Sequence, residues 1–285
     1  AMPNLKSVAW CVAYRKSEDK EFCIVKNPIW GWAADPFLIE RKGIMFIFAE
    51  LWDYRKGKGG IGYITIQNGK IGKWKMIIEE SYHLSYPHFV EIDNQLYICP
   101  ESCNNKSLYF YRCKSFPDIW EKLDPFIQDM DLSDTTFFNS GDDLYGFSCL
   151  YHENPIKLIA FKLIGSKIEF SPNNPIYRGG KLARPGGAIF KRDNKLIRVS
   201  QDCTEYYGKA LIFTEVKSMW PKLEEKIIKI ITIDDFKFDK NVNPIGIHTY
   251  NVCNGYEVVD LKLKRVNLIN ILFRVPLKLK KCLKR

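Results

Sequence analysis

Three acidic residues of this chain stand beside short apolar runs with the composition of β-strands. Asp35 lies in Asp-Pro-Phe-Leu, Glu101 in Cys-Pro-Glu-Ser and Asp134 in Ser-Asp-Thr-Thr-Phe. When carboxyl groups from separate segments share a cleft, their surroundings can keep one ionised and another protonated. Such carboxyl pairs carry out the acid, base and nucleophilic steps of glycosyl transfer. We predict Asp35 as nucleophile or base, Glu101 as acid/base and Asp134 as a charge modulator, with a role in turns as the alternative for each.

A second group of polar residues is predicted to bind the substrate. Arg184 precedes Pro-Gly-Gly, whose backbone allows a ligand to approach closely. Its guanidinium suits a phosphate or a carboxylate, and a structural salt bridge is the competing interpretation. A structural role is likewise the alternative for the histidines. The predicted substrate-binding residues are Glu50, Tyr86, His88, Arg184, Gln201, Asp202 and His248, and Glu91 is a further channel candidate.

These residues belong to a phrase that recurs five times along the chain. Each copy has a turn-prone polar start, an apolar run, a polar kink and a second apolar strand, and the copies are anchored at Asp35, Tyr86, Asp134, Gly186 and His248. A period of about fifty residues is typical of propeller blades. Because the innermost strand of each blade lines the central channel, we expect the anchors to become neighbours there. An open β-sandwich with coincidental turn spacing is the alternative.

A second pair of strand-like runs follows the first four phrases but not the fifth. The missing pair is found at the N-terminus, in residues 7–14 and 21–25. Four short strands make one propeller blade. We therefore predict an all-β, five-bladed β-propeller of four-stranded antiparallel blades, in which N- and C-terminal strands share one blade and leave no exposed sheet edge. This single domain is predicted to span 5–262, with a basic amphipathic C-terminal tail at 263–285.

Composition fits one domain inside the cell. A chain of 285 residues with 46% hydrophobic residues can bury a core of this size. Its nine cysteines are scattered and lack Cys-x-x-Cys spacing, which favours reduced, mostly buried thiols. The N-terminus has no apolar segment of a secretory signal, and no apolar run is long enough to span a bilayer. A cytoplasmic location is expected.

The positive charge is concentrated at the C-terminus. Nine of the basic residues that give the formal charge of +10 lie in 261–285, a segment with no acid, so the rest of the chain is nearly neutral. Residues 266–275 add an apolar patch. This combination favours an anionic membrane surface, at the inner face of the membrane. A terminal helix packed on the propeller is the alternative, and nucleic acid is not expected as a partner because the body lacks aromatic-interleaved basic patches.

No cofactor or metal site is predicted. The run Gly57-Lys-Gly-Gly-Ile-Gly62 fits G-x-G-x-x-G but precedes an extended segment instead of opening a helix, so it is interpreted as a glycine-rich hairpin. Lys56 and Lys58, beside it, are candidates for the channel mouth. The chain also lacks the spacing of a zinc site, a P-loop or a nucleophile elbow.

An ordered series of motifs over nearly the whole chain resembles a known family. Ala34-Asp-Pro-Phe alone resembles the five-bladed family 43 glycoside hydrolases, whose first-blade aspartate is the base or nucleophile. The full series is similar to the N-terminal domain of plant glucosamine inositolphosphorylceramide transferases, and to bacterial proteins of surface-polysaccharide assembly. The motifs are Ala34-Asp-Pro-Phe, Phe48-Ala-Glu, Lys58-Gly-Gly-Ile-Gly, His83-Leu-Ser-Tyr-Pro, Cys99-Pro-Glu-Ser, Leu108-Tyr-Phe-Tyr, Phe116-Pro-Asp-Ile-Trp, Arg184-Pro-Gly-Gly, Gln201-Asp-Cys and His248-Thr-Tyr-Asn.

The resemblance implies a carbohydrate-active site near Asp35, Glu101 and Asp134. The hydrolase family places its acid glutamate on a later blade than Glu101 would occupy, which argues against simple hydrolysis. We therefore expect glycosyl transfer in surface-glycan biosynthesis, from an activated sugar donor to a glycan or lipid-linked acceptor. The alternatives are a glycoside hydrolase and a non-catalytic glycan-binding module that serves a partner enzyme.

Overall fold

The structure is a computed structural model that describes residues 7–141, 143–165 and 167–265. It confirms the predicted fold, an all-β propeller of five antiparallel blades. The chain begins with the outer strands of the closing blade and then builds the first blade. These strands are β1 (Ser7–Lys16) and β2 (Cys23–Ile24), followed by β3 (Gly31–Arg41), β4 (Ile44–Asp53), β5 (Lys58–Gln67), β6 (Lys70–Ile71) and β7 (Lys75–Ile78).

The second and third blades repeat this meander, with the innermost strand first in each. The second consists of β8 (Ser85–Ile92), β9 (Gln95–Glu101), a 3₁₀ turn (Cys103–Asn105), β10 (Ser107–Leu108), β11 (Tyr111–Ser115), β12 (Ile119–Lys122) and β13 (Ile127–Gln128). The third consists of β14 (Ser133–Ser140), β15 (Asp143–Leu150), β16 (Lys157–Ile164), β17 (Lys167–Phe170) and β18 (Tyr177–Arg178).

The fourth blade has a short inner strand, and the fifth returns to the N-terminus. The fourth contains β19 (Phe190–Arg192), β20 (Lys195–Asp202), β21 (Ala210–Ser218) and β22 (Glu224–Ile231), and is followed by a 3₁₀ turn (Ile233–Asp235). The last strands are β23 (Pro244–Gly246), β24 (Tyr250–Cys253) and β25 (Tyr256–Arg265).

Closure rests on the pairing of β1 with β25. The two strands are antiparallel over their full lengths, from Ser7 opposite Arg265 to Lys16 opposite Tyr256. β25 thus extends beyond the predicted domain boundary at 262, and the first three residues assigned to the tail belong to the blade. The rest of the predicted tail, 266–285, lies outside the described residues.

The hydrophobic core is divided among the contacts between neighbouring blades. The closing blade and the fourth blade share one cluster, which contains Phe22, Phe213 and Leu261. Another joins the closing blade to the first through Val12, Ile47 and Val258. Because apolar side chains of neighbouring blades form these clusters, the blades pack side to side around a central channel. No helix in the described ranges is both long and apolar enough to cross a membrane.

Candidate active site in the central channel

The same backbone irregularity occurs in the inner strands of the first three blades. The pairing register shifts between Ala34 and Phe37, between Ser85 and His88, and between Ser133 and Thr136. Inside each bulge one residue has a left-handed backbone, with φ of 50° at Asp35, 46° at Tyr86 and 50° at Asp134.

A left-handed backbone costs about 1–2 kcal/mol in a residue with a side chain. A β-bulge redirects that side chain from the sheet. The first three anchors of the sequence, Asp35, Tyr86 and Asp134, are therefore the positions at which the inner strand turns a polar side chain out of the sheet. Backbone strain of this kind is concentrated at functional sites.

Asp35 is held by the last blade. Its Oδ1 accepts a hydrogen bond of 2.8 Å from Thr249 Oγ1 and lies 3.3 Å from His248 Nε2. Its backbone N–H donates to Asp260 Oδ2 at 2.9 Å. Asp260 also lies 2.6 Å from His248 Nδ1 and accepts from the backbone N–H groups of His248 and Thr249. The imidazole of His248 is thus enclosed by two carboxylates, and the ring of Trp10 stacks on it at 4.0 Å.

This arrangement determines the charge of both groups. Burial raises the pKa of Asp35 to about 6, although the nearby His248 and the Thr249 hydroxyl oppose the shift. Burial alone would lower the pKa of His248, but the carboxylates of Asp260 and Asp35 outweigh it and hold that pKa above its ordinary value. At neutral pH, above its pKa of about 6, Asp35 is therefore mostly an anion, and the two carboxylates favour the protonated form of His248.

A second cluster crosses from the second blade to the fourth. Asp134 Oδ2 forms an ion pair with Arg184 Nε and accepts from Gln201 Nε2 at 3.2 Å. Glu101 Oε2 accepts from the backbone N–H of Asp134 at 3.0 Å, and its Oε1 from Cys103 Sγ at 3.2 Å. Burial and the charge of Asp134 raise the pKa of Glu101 to about 8. Glu101 is therefore a protonated acid at neutral pH.

One donor of Arg184 has no acceptor among the described residues. Its side chain is buried, and no described residue accepts a hydrogen bond from Nη1. The guanidinium lies 4.2 Å from the ring centre of Tyr151 and 4.9 Å from that of Tyr207. These groups border a cavity of about 300 Å³, which is lined by His83, Glu101, Cys103, Asn104, Ser133, Tyr151, His152, Arg184 and Tyr207. A cavity with a buried guanidinium donor and a protonated carboxyl is suited to an anionic ligand.

Glu50 is a third buried acid of the channel. Burial is the main cause that raises its pKa well above the ordinary value, and the nearby carboxyl groups of Asp35 and Glu101 add to the shift. Its Oε1 lies 3.6 Å from Nε2 of His83, whose Nδ1 accepts from the backbone N–H of Gly59. A side chain at Gly59 would come within 2.7 Å of Glu50 Oε1. The glycine-rich run is thus part of the β4–β5 hairpin, and Gly59 makes room for Glu50.

Several predicted residues are structural in their contacts. Tyr86 bridges blades, since its hydroxyl bonds Thr136 Oγ1 at 2.7 Å and accepts from the Gly187 N–H at 2.8 Å. His88 is buried among aromatic rings, accepts from the Phe137 N–H through Nε2, and has its pKa lowered by burial to about 4.

Two further candidates lie away from the cavity. Asp202 caps a turn by accepting from the N–H and hydroxyl of Thr204. Glu91 is exposed near the far end of β8. The two lysines predicted at the channel mouth have partners outside the cavity. Lys56 pairs with Glu79, and Lys58 donates to the Glu80 carbonyl.

The sequence did not point to Asp260, Tyr151, Tyr207, Trp10 or His83 as site residues. Asp260 and Trp10 lie within β25 and β1, away from any repeat anchor. The available signal for Asp260 was a lone acid in the apolar run Val-Val-Asp-Leu of a central strand, where an unpaired charge would be costly. His83 opens one of the ordered motifs, and only its position beside Glu50 gives it a role.

One group of side chains has the composition of a metal site. Asp35, His248 and Asp260 have ligand atoms within 4.8 Å of one another. The separation of 2.6 Å between His248 Nδ1 and Asp260 Oδ2 is a direct ion-pair distance, so only the Asp35 side of the imidazole offers room for a cation. These residues come from distant strands, and for this reason no spacing motif reveals them.

The solved structures that this chain resembles include glycoside hydrolases. A GH62 α-L-arabinofuranosidase domain from Coprinopsis cinerea matches 89% of this chain and 97% of its own, with a TM-score of 0.64 and 10% identity. An α-L-arabinofuranosidase from Podospora anserina has a TM-score of 0.61 and 10% identity over 82% of this chain and 91% of its own. At this identity the likeness establishes the architecture.

The family is established by sequence. The chain belongs to the family described as glucosamine inositolphosphorylceramide transferase 1, N-terminal, whose profile matches residues 4–253. The glucosamine inositolphosphorylceramide transferase 1 of Arabidopsis thaliana is 31% identical over 235 residues, and that of Oryza sativa subsp. indica 27% over 223. These matches cover 77% and 74% of this chain but 30% of each relative. The chain therefore corresponds to less than a third of the relatives' length.

Proposed function

We propose that this protein transfers a sugar from an activated donor to a glycan or lipid-linked acceptor in surface-glycan biosynthesis. The observation that carries the proposal is the side chain of Arg184, which lines the same cavity as the protonated Glu101 and whose buried Nη1 has no acceptor among the described residues. Activated donors carry phosphate, and a guanidinium binds phosphate through paired, charge-assisted hydrogen bonds.

The roles follow from the charge states. Arg184 holds the anionic group between Tyr151 and Tyr207, while Asp134 fixes the guanidinium through Nε and leaves Nη1 for the ligand. Glu101, protonated, serves as the general acid that donates a proton to the leaving oxygen. Asp35, ionised, serves as base toward the acceptor hydroxyl or as nucleophile at the anomeric carbon. The relatives' name, a transferase of glucosamine to inositolphosphorylceramide, supports transfer over hydrolysis.

The proposal is tested by ligand-induced thermal stabilisation. The full chain is screened against nucleotide sugars and polyprenyl-phosphate sugars, and a hit is followed by product analysis with and without acceptor. We expect a donor to raise the melting temperature in wild type and in Arg112→Gln, a control arginine in an exposed ion pair with Glu121. Arg184→Gln should lose the shift. Absence of any shift across the panel would count against the proposal, and free sugar as the sole product would select the hydrolase.

A non-catalytic glycan-binding module is the second candidate. The observation that favours it is the pair Trp32 and Trp52, whose partly exposed rings stack at 5.4 Å with an angle of 2° beside His83. Aromatic faces of this kind bind the apolar faces of sugar rings. If sugar binding survives in Asp35→Asn, Glu101→Gln and Asp134→Asn while no product forms in wild type, this candidate is selected.

We also propose that the protein is cytoplasmic and attaches to the inner face of the membrane through its basic C-terminal segment. The segment 266–285 contains six basic residues, no acid and an apolar patch at 266–275. An anionic bilayer attracts such a segment by about 1 kcal/mol for each basic residue near its surface. A lipid-linked acceptor would then be available at the same surface.

A further inference from the structure

The cavity opens at one end of the propeller, which we call the mouth face. The inner strands begin at this end and the second strands finish there, as the pairing of Ser85 with Glu101 and of Gly31 with Asp53 requires. Glu101, Ser133 and Tyr151, which line the cavity, all lie at these strand ends. The opposite end carries the tight hairpin turns, such as Lys42-Gly43 and Asp93-Asn94.

The described chain also ends at the mouth face. β25 runs toward this end, because its last residues pair with the start of β1 and with β23. Lys262 shows how close this end of β25 is to the cavity. Its Nζ donates to the Tyr207 carbonyl at 3.0 Å and lies 5.5 Å from the centre of the Tyr207 ring. Tyr207 lines the cavity. At about 3.3 Å per residue, Arg265 is only about 10 Å further along the strand. The described chain therefore ends near the cavity.

The surface around this end of the described chain is apolar and basic. The side chain of Ile29 is 79% exposed, and those of Val8 and Ile245 are 45% and 40% exposed. Ile29 borders a groove of about 620 Å³ between the closing blade and the first blade, which Lys26 and Lys240 also line.

Acidic groups near this end of the described chain are already engaged. Asp239 accepts from the Ile24 N–H at 2.8 Å, and Glu79 is paired with Lys56. Exposed Lys264 adds a positive charge next to Val8, its partner in the strand pair. Lys26, Lys240 and Lys264 thus place three positive charges around the groove and the end of the described chain.

We propose that the mouth face docks on an anionic lipid bilayer, with Ile29 and Ile245 at the lipid surface and Lys26, Lys240 and Lys264 at the headgroups. This proposal rests on the proposed membrane attachment and adds its orientation. Exposed isoleucines beside lysines are what an interfacial surface requires, because apolar side chains enter the headgroup boundary while lysines bind anionic lipid. The six basic residues beyond Arg265 continue the same charge. The cavity then faces the bilayer, where a lipid-linked sugar or acceptor resides.

The orientation is tested by hydrogen exchange of the full-length protein. Exchange is compared in solution, on vesicles of equal parts phosphatidylglycerol and phosphatidylcholine, and on phosphatidylcholine alone. Slower exchange is expected at 25–31 and 240–247 on the anionic vesicles, with no change at the hairpins 41–44, 93–95 and 193–195. Protection at those hairpins, or unchanged exchange at 25–31 and 240–247, would overturn the proposal.

Point variants give an independent check by cosedimentation. Ile29→Glu should reduce binding to the anionic vesicles about five-fold, since one unfavourable charge costs about 1 kcal/mol at that surface. Ile119→Glu is the matched control, because Ile119 is 58% exposed toward the opposite end of the second blade. Equal loss in both variants, or in neither, refutes the orientation. The donor-induced rise in melting temperature is also measured on each variant. If vesicle binding fails the test while the donor still raises the melting temperature, the docking proposal fails and the proposed function stands. If no donor raises the melting temperature while vesicle binding behaves as expected, the proposed function fails and the docking proposal stands.

Discussion

Three buried acids in one channel have different charge states, and their neighbours explain why. Asp35 faces His248 and a hydroxyl donor, which limit the effect of burial on its pKa. Glu101 faces Asp134 instead, so that a like charge adds to the effect of burial. Glu50 has both Asp35 and Glu101 nearby, and its neighbour His83 is neutral at pH 7 because burial lowers its pKa to about 4. At neutral pH the site therefore contains a ready base, Asp35, and a ready acid, Glu101, while the pKa of Glu50 is shifted toward the protonated form.

The pH dependence of activity should follow these two groups. Asp35 must be ionised and Glu101 protonated, so the rate should rise through pH about 6 and fall through pH about 8. Glu101→Gln should remove the alkaline limb and lower the rate at least about 100-fold. The check is kcat/KM for the donor found by thermal shift, between pH 4.5 and 9.5. A profile flat across pH 8 in wild type would contradict the assignment of Glu101.

The same residue makes a prediction for stability. The pKa of Glu101 is raised from 4.5 to about 8 in the folded state, so the unfolded chain loses this proton at a lower pH than the folded protein does. The free energy of unfolding should thus decrease as pH rises from about 4.5 to about 8. Glu101→Gln should be more stable than wild type at pH 8, on the order of a few kcal/mol, and similar at pH 4. Urea unfolding at both pH values measures this, with exposed Glu18→Gln as a control.

At the scale of elements, the bulged inner strands both build the site and connect the blades. Each bulge turns one side chain from the sheet, and in the second blade that side chain is Tyr86. Its hydroxyl joins Thr136 of the third blade to Gly187 of the fourth. Gly187 has φ of 148°, and a side chain there would come within 2.0 Å of the Tyr250 carbonyl. The strained positions are thus fixed by contacts between blades, as a preorganised site requires.

Tyr86→Phe should weaken this connection. The change removes the hydroxyl and leaves the buried Gly187 N–H without its acceptor, which costs about 1–3 kcal/mol. Equilibrium unfolding should show that loss, whereas Tyr206→Phe, on a side chain that is 51% exposed, should change the free energy of unfolding by less than about 0.5 kcal/mol. Equal stabilities of Tyr86→Phe and wild type would mean that the inter-blade hydrogen bonds contribute nothing net.

At the scale of the molecule, the propeller and its closure could be predicted because each blade repeats the same phrase. The position of most anchors at the channel follows from that repeat. The bulges could not be predicted, since the register shift at Asp35 or Asp134 depends on pairing with the next strand. Asp260 was missed because it lies between repeats and reaches Asp35 only through ring closure. Arg184 forms the salt bridge of one sequence-based interpretation through Nε. Its Nη1 has no described partner, and substrate binding by Arg184 stays a prediction.

Deletion of 266–285 should separate the propeller from its membrane attachment. The closing blade is complete at Arg265, where β25 ends its pairing with β1, so the shortened protein should keep the wild-type melting temperature within a few degrees. The deletion removes six basic residues while Lys262 and Lys264 remain in the strand. Cosedimentation with phosphatidylglycerol vesicles should fall at least about ten-fold, because each lost charge removes about 1 kcal/mol of attraction. Added salt should weaken the wild-type binding in the same direction. If the shortened protein sediments as well as the full chain, or if full-length binding is unaffected by salt and lipid charge, the segment is not the membrane anchor.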